Sequence, residues 1–255
     1  MDRGAWVALG AGVGACVGSF LNVCIARWPE GQSVLWPRSR CPACAAPIAP
    51  YDNVPILSYV WLRGRCRRCG VRISPQYPLV ELATAGLWSA AVARHGPSWA
   101  ALTTAVFLTL LLGIALTDAR SYTIPDGFSL GGLALGLLLA PLPGGISLPQ
   151  ALLGALVGFG ALALVAVLGE WVLRRPAMGG GDVKMLAMVG AFLGPLGALL
   201  TLFLGAFVGA VVFGPVALKR RVLVPFGVFL AVGAALTEAW GHELLAWYLR
   251  LVRGA

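Results

Sequence analysis

The chain has 255 residues, 59% of them hydrophobic and only 11% charged, with a mean hydropathy of +0.85. That balance lies outside the range of soluble domains and marks an integral membrane protein. A formal net charge of +9 invites a nucleic-acid reading, but the basic residues sit in the loops between apolar runs, which favours membrane orientation instead.

Apolar runs able to cross ~30 Å of hydrocarbon fall at 5–26, 79–95, 99–117, 127–142, 150–173, 196–218 and 225–249, and a shorter run at 183–194 is the candidate eighth. The expected fold is therefore all-α, a polytopic membrane helix bundle of about eight spans. Gly194-Pro195 leaves two readings open for the short run: a break within one bent segment, or a turn between two. With the N-terminus outside and the runs alternating, fifteen basic residues lie on the inner side. These are Arg27, Arg38, Arg40, Arg63, Arg65, Arg67, Arg68, Arg72, Arg120, Arg174, Arg175, Lys184, Lys219, Arg220 and Arg221, against Arg3, Arg94, Arg250 and Arg253 outside. This asymmetry places the 27–78 loop in the cytoplasm. VGAC at Val13–Cys16 resembles a lipoprotein cleavage site, but Asn22 and its context favour a retained first span. No internal repeat or low-complexity tract is evident. The expected organisation is a first span (1–26), a cytoplasmic module (27–78) and a membrane bundle (79–255).

The module carries CPAC at Cys41–Cys44 and CRRC at Cys66–Cys69, separated by 21 residues. Each CxxC turns both sulfurs toward one point, so two of them wrap a tetrahedral Zn²⁺, although this separation lies just beyond the usual range. Disulfides compete for the same cysteines, but a cytoplasmic loop stays reduced. Four thiolates make a closed, structural zinc site. Cys16 and Cys24, in the first span, read as small buried apolar residues.

The third run ends in LTDARSYTIPD, which sets Asp118 at the inner end of a span and Asp126 before the next. In MGGGDVKM, three glycines lead into Asp182, on the same side and 64 residues later. Taken singly, Asp182 is an ordinary helix N-cap. The glycines permit close backbone approach, and a second carboxylate at matching depth turns the pair into a functional hypothesis. Two close carboxylates in a low-dielectric site share a proton, so that one activates water while the other donates to a carbonyl, and they titrate as a unit. His95 and His242 lie near outer ends, so a Ser-His or His-zinc hydrolase has little material on the inner side. Asp126 reads as a cap or local support. Glu81 reads as an interfacial residue, snorkelling or paired with an arginine.

Taken together, GSFLNVCIARWP, PRSRCPAC, YDNVPILSYVWLRGRCRRCGVRISPQYPLVE, the D-A-R-x-x-x-I-P-D block from Asp118, GGGDVK and PFGVFL resemble the type IV prepilin peptidases over nearly the whole chain. The resemblance implies that Gly179, Gly180, Gly181 and Asp182 form the GxGD motif of a membrane aspartyl protease, with Asp118 as partner acid. It implies prepilin or pseudopilin substrates, cleaved after a short basic leader at the inner face of the bacterial plasma membrane. It further implies methylation of the new amine with S-adenosylmethionine, tied to the 27–78 module, for which Asn22, Asp52 and Glu81 are the candidate residues. The family's PFGP reads PFGV here; Val228 is expected to alter the local turn and leave the dyad untouched. The module's arginines would repel a basic leader, so attraction to anionic lipid is the better reading. A proton-coupled transporter with a zinc-binding regulatory loop is the competing class, disfavoured because the acids cluster at one face rather than along a path.

Overall fold

The computed structural model describes residues 2–174, 178–217 and 224–253. Arg175, Lys219, Arg220 and Arg221 lie outside the described residues. Within them every regular element is helical: α1 (Arg3–Arg27), α2 (Leu57–Trp61), α3 (Gln76–His95), α4 (Trp99–Ser121), α5 (Asp126–Leu139), α6 (Leu148–Leu173), α7 (Gly180–Ala217) and α8 (Phe226–Arg253). Four stretches are long and apolar enough to cross a membrane: Arg3–Glu30, Trp99–Ser121, Leu148–Val172 and Gly180–Phe213. The 14-residue α5 is apolar but shorter. Packing divides the chain into Met1–Thr109 and Leu110–Ala255.

In the first unit α1 and α3 run antiparallel with their backbones nearly touching. A Cβ at Gly14 would lie 2.8 Å from Thr84 O, and one at Gly18 would lie 2.8 Å from Glu81 Cα. Small residues one turn apart permit this approach, in which packing rather than water exclusion drives helix association. The same register sets Asn22 beside Tyr77, whose carbonyl accepts from Asn22 Nδ2 at 3.0 Å. The module is thus suspended from the end where α1 stops and α3 begins. Cys24 is buried in this unit as expected, whereas Cys16 is exposed on the other side of α1, which corrects its assignment to the interior.

The second unit is organised by a reversal in α7. Gly194 has φ 73° and ψ −178°, a conformation that suits glycine alone, and Pro195 follows, so the helix stops and restarts. The first limb, 180–193, packs against α5 through Gly136 on Phe192, and against α6 through the Gly154–Gly190 and Gly158–Leu186 backbone contacts. The second limb, 195–217, packs against α8. Gly209 lies against Phe229, and Thr201 Oγ1 donates to Thr237 Oγ1 at 3.2 Å. Gly181 and Gly227 both abut Ile124, while Gly209 abuts Phe229, two residues past Gly227. A straight helix would hold residues 181 and 209 about 42 Å apart. The chain therefore doubles back at Gly194-Pro195, and of the two readings left open by the sequence the turn between two segments is the one observed.

Candidate functional site

Asp118 and Asp182 are brought to the same end of the second unit. Asp118, near the C-terminal end of α4, is 5% exposed. Its Oδ2 accepts the backbone N–H of Val228 at 3.1 Å, in the first turn of α8. That turn offers backbone donors with no intrahelical partner, so a carboxylate is a natural acceptor there. Proline at this position would have no N–H to give. The departure at Val228 therefore reaches Asp118 directly, which corrects the expectation that it leaves the two acids untouched.

Asp182 lies in the first turn of α7, not at its N-cap, and its own N–H donates to Gly179 O at 3.2 Å. Its Oδ1 is buried with no hydrogen-bond partner among the described residues. A capping carboxylate would be satisfied by backbone N–H groups, so the simple cap reading fails; a buried oxygen left unpaired marks a site with another task. Gly181 and Gly227 hold the two acids around one side chain: their Cβ atoms would lie 3.0 Å from Ile124 Cβ and 2.8 Å from Ile124 Cδ1. None of Gly179, Gly180 and Gly181 has a positive φ, so space rather than backbone conformation is what glycine supplies. Beside them Lys184 Nζ donates to Asp126 Oδ1 at 2.6 Å.

In the module the four cysteine sulfurs lie within 4.8 Å of one another. Cys41 Sγ and Cys69 Sγ are 3.8 Å apart, the edge of a tetrahedron with Zn–S bonds of ~2.3 Å. Backbone N–H groups of Cys69 and Arg68 hold the Cys66 thiol down to about 6; those of Cys44 and Ala43 lower Cys41. Donors aimed at the Cys41 and Cys66 sulfurs favour the thiolate that a metal requires, and with the four sulfurs at tetrahedral spacing the residues fit zinc. The knuckles are also copies. Arg40 bridges Pro47 and Arg65 bridges Arg72, while the bonds Cys41 N→Ala46 O and Cys66 N→Val71 O match at 2.9 Å. An R-C-x-x-C-x-x-x-I repeat, 40–48 and 65–73, is therefore present, against the expectation of none.

Of the three candidate methyl-transfer residues, Asn22 and Glu81 are neighbours across the α1–α3 seam. Asn22 is 3% exposed; Nδ2 donates to Gly18 O and Tyr77 O, and Oδ1 is buried without a partner. Glu81 is 7% exposed and accepts the N–H of Ile56 at 2.7 Å. This corrects its reading as a snorkelling or arginine-paired interfacial acid. Ile56 has φ 63° and ψ −53°, and Leu57 N donates to Pro55 O at 2.6 Å. That is a γ-turn on a β-branched residue, a strained backbone of the kind that collects at functional sites. Asp52 is engaged separately. Arg67 grips it with Nε and Nη2, the shortest contact being 2.6 Å, and holds its carboxyl below the usual range. Sequence patterns gave no sign of the Val228 donor or the Ile56–Glu81 bond, because both involve a backbone N–H.

Residues 13–95 match the family model described as Bacterial Peptidase A24 N-terminal domain, and residues 105–214 match that of the Type IV leader peptidase family. The prepilin leader peptidase/N-methyltransferase of Stutzerimonas stutzeri is 36% identical over 98% of this chain and 96% of its own length. That of Bacillus subtilis (strain 168) is 34% identical over 94% of this chain and 97% of its own. The protein of the same name from Myxococcus xanthus (strain DK1622) is 43% identical over 78% of this chain, a match that takes in 60% of that longer protein. No solved structure matches the chain. The chain belongs to the type IV leader peptidase family.

Proposed function

We propose that this protein is a bifunctional membrane enzyme that removes the leader of prepilins or pseudopilins with Asp118 and Asp182 and then methylates the new N-terminus. The observation that carries the proteolytic reading is the asymmetric pair: Asp118 anchored by the Val228 N–H, and Asp182 with a buried oxygen unpaired. One carboxylate takes a proton from water as the hydroxyl oxygen bonds to the scissile carbonyl carbon. The protonated partner gives its proton to the carbonyl oxygen. Collapse of the resulting diol breaks the C–N bond: the leaving amine takes up a proton from the dyad, and one diol hydroxyl returns its proton to the dyad as the new carboxyl group forms. The pair acts as one titrating unit, with a bell-shaped rate profile. The clustering of both acids at one end of the unit supports this chemistry over a proton relay.

For the second activity, S-adenosylmethionine would supply an electrophilic methyl group. Asn22 Oδ1 and Glu81 are acceptors with no cationic partner among the described residues. They suit a cationic group, and in this reading the Glu81 carboxylate takes the proton shed by the new amine. Asp52 serves this reading indirectly, by clamping the CRRC knuckle through Arg67. Zinc on Cys41, Cys44, Cys66 and Cys69 holds the 27–78 segment together and takes no part in the chemistry.

The reversal at Gly194-Pro195 supports counting 183–194 as a segment of its own and hence about eight spans. The basic residues of the loops support placing the dyad and the module on the cytoplasmic side of the plasma membrane. The deciding experiment is the intact mass of a prepilin incubated with the purified protein and S-adenosylmethionine. The expected product lacks its leader and carries one methyl group. Asp118→Asn and Asp182→Asn abolish cleavage, yet still methylate a substrate supplied already cleaved. Full cleavage by folded Asp182→Asn protein would refute the dyad.

A further inference from the structure

A cavity of about 550 Å³ opens beside the second knuckle, lined in part by Tyr59, Arg63, Arg65, Arg72, Ser74 and Pro75. Arg65 and Arg72 oppose each other across the β-bridge, an arrangement in which like charges repel. Arg63 enters from a turn with a positive φ of 52°. None of these three arginines forms an ion pair with a described carboxylate, although Arg67, close by in the chain, is fully matched by Asp52. Ser74 Oγ accepts from Gln76 N at 3.3 Å, which leaves its hydroxyl proton to donate. The first knuckle is an internal comparison: there Arg40 faces Pro47.

We infer that this cavity binds the phosphate of an anionic phospholipid head group. Guanidinium groups suit a phosphate by charge and by paired N–H geometry. The source is a lipid because of where the cavity lies. Ser74 and Pro75 directly precede α3, at the end where α3 meets the last turns of α1, a candidate membrane span. The helix that supplies Tyr59 also exposes Leu57 (68%), Val60 (67%) and Trp61 (82%), apolar and interfacial side chains beside the charged cavity. A free phosphate has no use for such a flank, whereas a lipid places glycerol and acyl chain there. This assignment is independent of the peptidase and methyl-transfer readings.

The test is native mass spectrometry of the full chain in detergent, titrated with phosphatidylglycerol, phosphatidylcholine or inorganic phosphate. Each arginine beside an anionic lipid is worth a factor of about five, so the Arg63→Gln/Arg65→Gln/Arg72→Gln variant is expected to lose phosphatidylglycerol affinity on the order of 100-fold. Arg38→Gln/Arg40→Gln, in the first knuckle, is expected to bind as the wild type does, and phosphatidylcholine is expected to bind weakly throughout. Zinc content reports whether each variant is folded; should the triple variant lose its zinc, Arg72→Gln alone is expected to show a loss of about fivefold. Unchanged phosphatidylglycerol binding in a zinc-replete variant overturns the site. Equal losses in both knuckle variants overturn it in favour of delocalised attraction, and competition by inorganic phosphate at the lipid's own affinity overturns the lipid assignment.

Discussion

Replacing the glycines around Asp118 and Asp182 one at a time by alanine separates their roles, because the space around each differs. A Cβ on Gly227 would sit 2.9 Å from Asp118 Oδ2 and 2.8 Å from Ile124 Cδ1. Relief requires a shift of roughly 0.5 Å, toward the ~3.5 Å of ordinary contact. A ~1 Å misplacement of a reacting group costs ~10²-fold, so half of that costs about tenfold. On Gly181 the nearest atom is Ile124 Cβ at 3.0 Å, which touches the scaffold and not a carboxylate, and a loss of about threefold is expected. Gly179→Ala meets only Asp182 Oδ2 at 3.5 Å, and Gly180→Ala meets nothing within 4 Å. Both should retain activity within about twofold; at Gly180, in the first turn of α7, alanine is also the better helix former. The assay is the initial rate of leader removal from a prepilin, followed by mass, with thermal unfolding as the control for fold. Should Gly180→Ala fall as far as Gly227→Ala, the glycines serve an approaching substrate rather than the neighbours seen here, and the reasoning fails.

Val228→Pro removes the donor to Asp118 Oδ2 at a first-turn position where proline is tolerated. A hydrogen bond to a charged group is worth ~1.5–3 kcal/mol, so cleavage should slow by roughly 10- to 100-fold while methylation of a pre-cleaved substrate stays the same; an unchanged rate and pH profile would dismiss the bond. Elemental analysis of the wild type should give close to one zinc per chain, and Cys66→Ser should lose most of it and expose the module's arginines to trypsin. Zinc-free wild type with intact protease resistance would contradict a structural metal. Ala45 has φ 55° where its counterpart Gly70 has φ 69°. Left-handed backbone costs a non-glycine residue ~1 kcal/mol, partly offset by glycine's freedom when unfolded, so Ala45→Gly should retain zinc against a chelator about two- to fivefold better. Weaker retention would argue that Ala45 is not strained.

Composition and motif spacing determined a good deal by themselves. The helical membrane class follows from hydropathy, because lipid leaves backbone groups no partner but one another. The four-cysteine cluster follows from two CxxC pairs, and Asp118 and Asp182 stand out because carboxylates are costly at that depth. What the sequence left open were relations between distant backbones. The reversal of α7 was ambiguous, since Gly-Pro breaks a helix without saying which way the chain goes on; contacts of Gly181, Gly209 and Gly227 decide it. The partner of Glu81 is the N–H of a strained Ile56, and the anchor of Asp118 is the N–H of Val228. Every residue but proline carries such a donor, so residue identity says nothing about where it points; only the packed helices aim it.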